Sequence, residues 1–168
     1  PLFVDYQLGM LRHTADDPTA RTQTRRIRVV GVDPDARLLN LPGVTADDWE
    51  RLRVPGTALY DRKSRKHPDQ VNHPGESAFG KLENGVQTEL AGRNITLIGN
   101  GFDLGFDFAT DGTLVVSDRT FASWIRAPIT LPGNDPLSEI DLVGVRLEPG
   151  ADLNRVQAEL RAKFASVG

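Results

Sequence analysis

GRNITLIGNGFDLGFDFATDGTLVVSDRTFASWIR, residues 92–126, is the stretch on which the fold turns. Ile95 and Leu97, then Phe102, Leu104, Phe106 and Phe108, recur mostly at alternate positions, the period of a half-buried strand. Asp103, Asp107 and Asp111 fall between or beyond them, toward solvent. Asp111-Gly112 is a turn signal, Leu114-Val115-Val116 reads as a further strand, and Asp118 is placed to cap a short helix carrying Phe121, Trp124 and Ile125. The stretch predicts sheet with a short helix at its end.

Upstream, Leu2, Val4 and Tyr6 form an opening strand, expected to pair with Arg26–Val32, where Ile27 and Val29 face one side and Arg26, Arg28 and Val30 the other. His13 to Thr24 between them is a polar loop. Thr45-Ala46-Asp47-Asp48 has the chemistry of a helix start, with Trp49 and Leu52 as its buried side and Pro55-Gly56 as its stop. Thr57–Tyr60 is a short strand, followed by a charged loop from Asp61 to Glu76. Val86–Leu90 and Ile95–Ile98 flank a hairpin turn at Ala91-Gly92-Arg93-Asn94.

Downstream, Pro128 to Pro136 is a turn-rich connection, expected to cross between two subdomains. Ile140, Leu142, Val145 and Leu147 predict a strand, and Glu148-Pro149-Gly150 turns it into a helix from about Asp152 to Ala165. Leu153, Val156, Leu160 and Phe164 make one apolar stripe on that helix. Burying four such side chains would contribute at most about 6–12 kcal/mol, and a helix this short is marginal without it. The expectation is therefore a strand-turn-helix packed on a sheet, within an α+β fold of mixed, mostly antiparallel sheets and few short helices.

Composition narrows the function. With 168 residues, 39% hydrophobic and 26% charged, the chain suits one compact domain or two small subdomains sharing a core. A net charge of −3 argues against nucleic acid as a partner. With no cysteine there are no disulfides, thiol nucleophiles or Cys zinc ligands. No run approaches the roughly 20 apolar residues that span a bilayer.

Catalytic and cofactor signatures fail on spacing. Gly99-Asn100-Gly101 with Gly105 is one residue too long for a dinucleotide loop and leads into strand-period residues, so it predicts a glycine-rich bend. Asp107, Asp111 and Gly112 sketch a calcium loop, yet Ala109 stands where a ligand is needed and Asp118 where a bidentate Glu belongs. His67 and His73, six apart in a proline-bearing loop, predict surface histidines rather than a zinc pair. Ser77 lacks a nucleophile elbow. The expectation is a protein that is not an enzyme, with no catalytic residue, cofactor or metal. What remains is the basic run Arg62, Lys63, Arg65 and Lys66, a solvated loop by default and the expected place of contact with an acidic partner or anionic headgroups.

Four stretches also carry a resemblance: Arg25–Val44, Pro55–Asp69, Gly92–Arg126 and Glu139–Phe164. In this order they resemble the periplasmic segment of DevC-type permease subunits of ABC exporters, within the MacB/FtsX-like permease family. The resemblance implies a single periplasmic domain over 1–168, with a membrane-proximal part of about 1–32 plus 137–168 and an inserted membrane-distal part of about 33–136. It implies a soluble fragment of an integral membrane protein at the periplasmic face of the bacterial inner membrane, with transmembrane helices on both sides of it. The opening Pro1-Leu2-Phe3-Val4, without an initiator Met, fits that expectation. Its implied partners are a periplasmic membrane-fusion adaptor and, through the full-length complex, an ATPase subunit and an outer-membrane channel; the full-length permease is expected to be a homodimer. The domain itself would couple ATP-driven motion to adaptor and cargo efflux without catalysis. The alternative is an envelope module that binds a small molecule or lipid, which a large apolar pocket with converging polar groups would favour.

Overall fold

A computed structural model describes residues 1–11, 23–104 and 110–165. Its architecture is α+β: a mixed six-stranded sheet closes into a barrel in the order β1-β2-β6-β3-β5-β4, with few short helices. The strands are β1 (Leu2–Leu11), β2 (Gln23–Val32), β3 (Thr57–Tyr60), β4 (Gln87–Leu90), β5 (Arg93–Leu97) and β6 (Gly112–Ser117). Helix α1 spans Ala46–Arg51; α2, Asp118–Thr120, continues as a π-helix over Phe121–Arg126; α3 spans Leu153–Phe164.

β1 and β2 form a long antiparallel ladder from Leu2↔Val32 to Leu11↔Gln23. β2 runs parallel to β6, from Ile27↔Gly112 to Val32↔Ser117, and β3 lies antiparallel to β6 on its other edge. Every residue of β6 is buried, as suits a strand paired on both edges and covered on both faces. β4 and β5 meet through Ala91 and Gly92, with φ of 50° and 75°. Two left-handed residues give the turn whose twist matches a two-residue hairpin.

Alternation along the strands separates two apolar clusters. All six strands contribute to the first, which includes Phe3, Ile27, Val29, Ala58, Leu90, Ile95 and Leu114, and which therefore fills the barrel. Phe121 and Ile125 of the π-helix also enter it. Gly31 makes this possible, since a Cβ there would lie 2.7 Å from the Phe121 Cβ. The second cluster lies on the outer face: Val30, Val32, Leu59 and Val115 meet Trp49 and Leu52 from α1 and its C-cap. Thr45 and Asp48 fix α1 through a reciprocal capping box, at 3.2 Å and 2.9 Å.

β1 and β2 close the same barrel as β3 to β6, through the long register of β1 on β2 and of β2 on β6. Several expectations change. The strand expected over Ile140–Leu147 is reduced to one bridge, Leu2↔Leu142. The helix after it forms, capped by Asp152, but none of its residues is buried; Leu153 is 54% and Phe164 64% exposed. The strand-turn-helix is thus not packed on the sheet: both apolar clusters are filled by the strands, α1 and the π-helix, and no residue of α3 enters either. The cap of α2 is Ser117, one residue before Asp118. Phe106, Asp107, Phe108 and His13 lie outside the described residues. No described helix is long and apolar enough to cross a membrane.

Candidate partner-binding surface

The basic run sits just after β3, in a loop whose residues 61 to 65 are each held by a backbone hydrogen bond. Asp61 is buried; its amide donates to the Thr113 carbonyl at 3.0 Å, and its carboxylate accepts from the Lys63 amide at 2.9 Å. The Arg62 amide donates to the Phe102 carbonyl, and the Arg65 amide to that of Asp111. The Ser64 hydroxyl, buried, donates to the Asp61 carbonyl at 2.6 Å. Backbone bonding on both sides therefore pins the loop against the β5–β6 connection.

The four cations separate into two pairs. Arg62 grips Asp103 with two nitrogens, at 3.2 Å and 2.9 Å, and Arg65 reaches Asp111 at 3.3 Å. These exposed pairs add little stability, on the order of 0–1 kcal/mol each, but they spend the charge of both guanidiniums locally. Lys63 and Lys66 are exposed and make no ion pair among the described residues. Beside them is a cleft of about 350 Å³ lined by Arg62, Lys66, Lys81, Glu76 and Glu83. Of the sequence-predicted contact residues, Arg62 and Lys66 line this cleft, and Lys63 and Lys66 are the two of the run whose charge is not paired among the described residues.

The histidines differ from expectation. His67 is buried, 8% exposed, and stacks on His73 with ring centroids 4.0 Å apart. The amide of Asp69 donates to His67 Nδ1 at 3.1 Å, and His73 Nδ1 meets Glu76 Oε2 at 3.1 Å. Asp69 organises the turn beneath them; the hydrogen bond from the Asn72 side chain, at 2.6 Å, holds its carboxyl below the usual range. The pair therefore fastens the loop rather than decorating its surface. No group of three metal-ligating side chains occurs among the described residues.

Gly99-Asn100-Gly101 is the expected bend, with positive φ at both glycines. A Cβ on Gly99 would lie 2.5 Å from Asp48 Oδ1, and one on Gly101 2.5 Å from the Tyr60 ring. Close packing against α1 and β3, not a phosphate cradle, accounts for the glycines. Burial at that contact raises the Tyr60 phenol above its ordinary pKa.

A third constellation has no sequence signature. Arg126, at the end of the π-helix, lies 2.7 Å from Asp141, 3.9 Å from Glu139 and 4.0 Å from Asp5. These residues border a polar cleft of about 500 Å³ between β1 and the segment 134–141. A second groove of about 510 Å³ carries Trp124, Ile125, Pro128 and Ile129 above Glu89. The acids of the first are scattered through the sequence, so only the tertiary fold brings them to one arginine. Compared with family models, curated proteins and solved structures, the chain matches none.

Proposed function

We propose that the chain is the extracytoplasmic coupling domain of a DevC-type ABC exporter permease subunit, working by protein contact and movement rather than catalysis. The observation that carries this reading is the ordered set of four stretches resembling that family. Three of them supply strands or loops of the barrel; the fourth is the exposed segment with α3. Support of a physical kind comes from the barrel itself. A closed barrel with a filled interior is stiff, so a displacement applied at one side is passed to the other. The lysines of the 61–66 loop offer a charged contact for an adaptor of opposite sign. The two-subdomain division of the family, about 1–32 plus 137–168 against about 33–136, belongs to this proposal.

The test is topological. In cells producing the complete gene product, the domain is expected in the inner-membrane fraction and open to protease added outside spheroplasts, with a cytosolic control protected. Recovery as a soluble cytosolic protein overturns the proposal. The contact role of the lysines has its own measurement. Lys63→Glu with Lys66→Glu is expected to weaken adaptor binding about tenfold, chiefly through slower association, and to leave the unfolding midpoint unchanged.

A further inference from the structure

The outer edge of β1 is incomplete. β4 pairs with it only at Gly9 and Met10, and the segment 140–147 only at Leu2. Between these points Val4 and Tyr6 pair with β2 on one side, while on the outer side no strand pairs with them among the described residues. Their amides donate instead to carboxylates, Val4 to Asp141 at 2.8 Å and Tyr6 to Asp5 at 2.6 Å. An edge dressed with carboxylates is protected from pairing.

The segment facing that edge is a strand by pattern. Leu2 and Leu142 already exchange both backbone bonds, at 2.8 Å and 3.1 Å, which fixes an antiparallel register. Continued, this register sets Val4 opposite Ile140 and Tyr6 opposite Ser138. Pro136, which lacks an amide hydrogen, would stand opposite Leu8 and end the ladder there. The same register sets Asp5 opposite Glu139, and both carboxylates already lie about one guanidinium away from Arg126, at 4.0 Å and 3.9 Å. Ile140 and Leu142 are now 53% and 55% exposed, and the cleft of about 500 Å³ separates the two backbones.

We infer that residues 138–142 are a strap that zips onto β1 as a seventh strand, collapsing this cleft, with Asp141 as the latch holding it open. The latch acts by occupancy. The Asp141 carboxylate takes the Val4 amide that the Ile140 carbonyl would otherwise accept from. Closing gives up three bonds, Val4 to Asp141, Tyr6 to Asp5 and Ser138 to the Asp135 carbonyl, and forms the four of two new rungs. It also covers half-exposed Ile140 beside Val4. The two states are therefore close in hydrogen bonding, and a single carboxylate can decide between them. The inference stands on this geometry whether or not the chain belongs to an exporter.

The test is amide hydrogen exchange on the whole domain with Asp141→Val, together with cysteine trapping in a chain that has no native cysteine. Asp141→Val is expected to slow exchange of the Tyr6 and Ile140 amides at least tenfold. Asp5→Cys with Glu139→Cys, directly opposite in the closed ladder, is expected to oxidise at least tenfold faster than the off-face pair Tyr6→Cys with Glu139→Cys, and faster still when Asp141→Val is added. Unchanged exchange at Tyr6 and Ile140, or equal oxidation of the two pairs, overturns the inference. Protection of the Val29 and Leu114 amides reports whether each variant keeps its barrel. Should Asp141→Val lose it, the two cysteine pairs with native Asp141 decide alone.

Discussion

The barrel and the 137–165 segment carry the same kind of sequence signal and meet different fates. β6 and the stretch Ile140–Leu147 are both short, apolar and rich in β-branched residues. β6 lies between β2 and β3 and is wholly buried, while the other touches a strand at one residue and leaves Val143 73% exposed. α1 and α3 repeat the contrast. Six residues of α1 place Trp49 in the outer core, whereas the twelve of α3 bury none. Periodicity specifies which face of an element is apolar; whether a surface exists to receive that face is a property of everything else in the fold.

Paired substitutions sharpen this contrast, the largest effect first. Leu114→Ala empties the barrel interior and is expected to cost about 2–5 kcal/mol, whereas Phe164→Ala on α3 should stay within about 0.5 kcal/mol. Denaturant unfolding of both variants measures the difference, and equal losses would mean that α3 is packed after all. Gly31→Ala probes a close contact of the barrel with the π-helix. Its new methyl meets Phe121, and the expected loss is roughly 1–3 kcal/mol in the same assay.

The helix caps come next. Thr45→Ala breaks the α1 capping box and should lower global stability by about 1 kcal/mol. Asp152→Ala removes the equivalent cap of α3, and is expected to reduce helical circular dichroism while leaving the barrel's midpoint in place. A shared change in midpoint would tie the two regions into one cooperative unit.

The smallest effect is a titration. Burial raises the Tyr60 pKa, so the folded chain holds this proton more tightly than the unfolded one. The stabilisation is therefore complete below the ordinary tyrosine value and is lost as pH rises through the folded value. In Tyr6→Phe, the remaining tyrosinate absorbance should appear above about pH 10 and coincide with loss of structure. A reversible ionisation at the ordinary value would show that the Tyr60–Gly101 contact opens readily.

Much of the barrel was legible because its signals are local. The opposite faces of Ile27 and Val30, the Thr45 helix start with Trp49 and Leu52, the Ala91-Gly92 turn and the Gly99-Gly101 bend all follow from backbone preference and alternation. The candidate contact surface was half legible. The run Arg62 to Lys66 announces positive charge, but its reduction to Lys63 and Lys66 depends on Asp103 and Asp111, some forty residues away. His67 departs from its local sequence signal for a similar reason. A histidine between charged residues and a proline reads as exposed, and only the stacked His73 and the fold of the 67–76 turn bury it.

By itself the sequence determined most of the barrel strands, the start of α1, their apolar faces and the absence of any cysteine chemistry, because these depend on neighbours within a few residues. The tertiary structure alone decided that β2 lies parallel to β6, that the barrel closes, that Arg126 gathers Asp5, Glu139 and Asp141, and that α3 stands uncovered. Those outcomes join residues from tens to more than a hundred positions apart. Which distant surfaces meet is set by global packing and loop closure, and no local pattern encodes it.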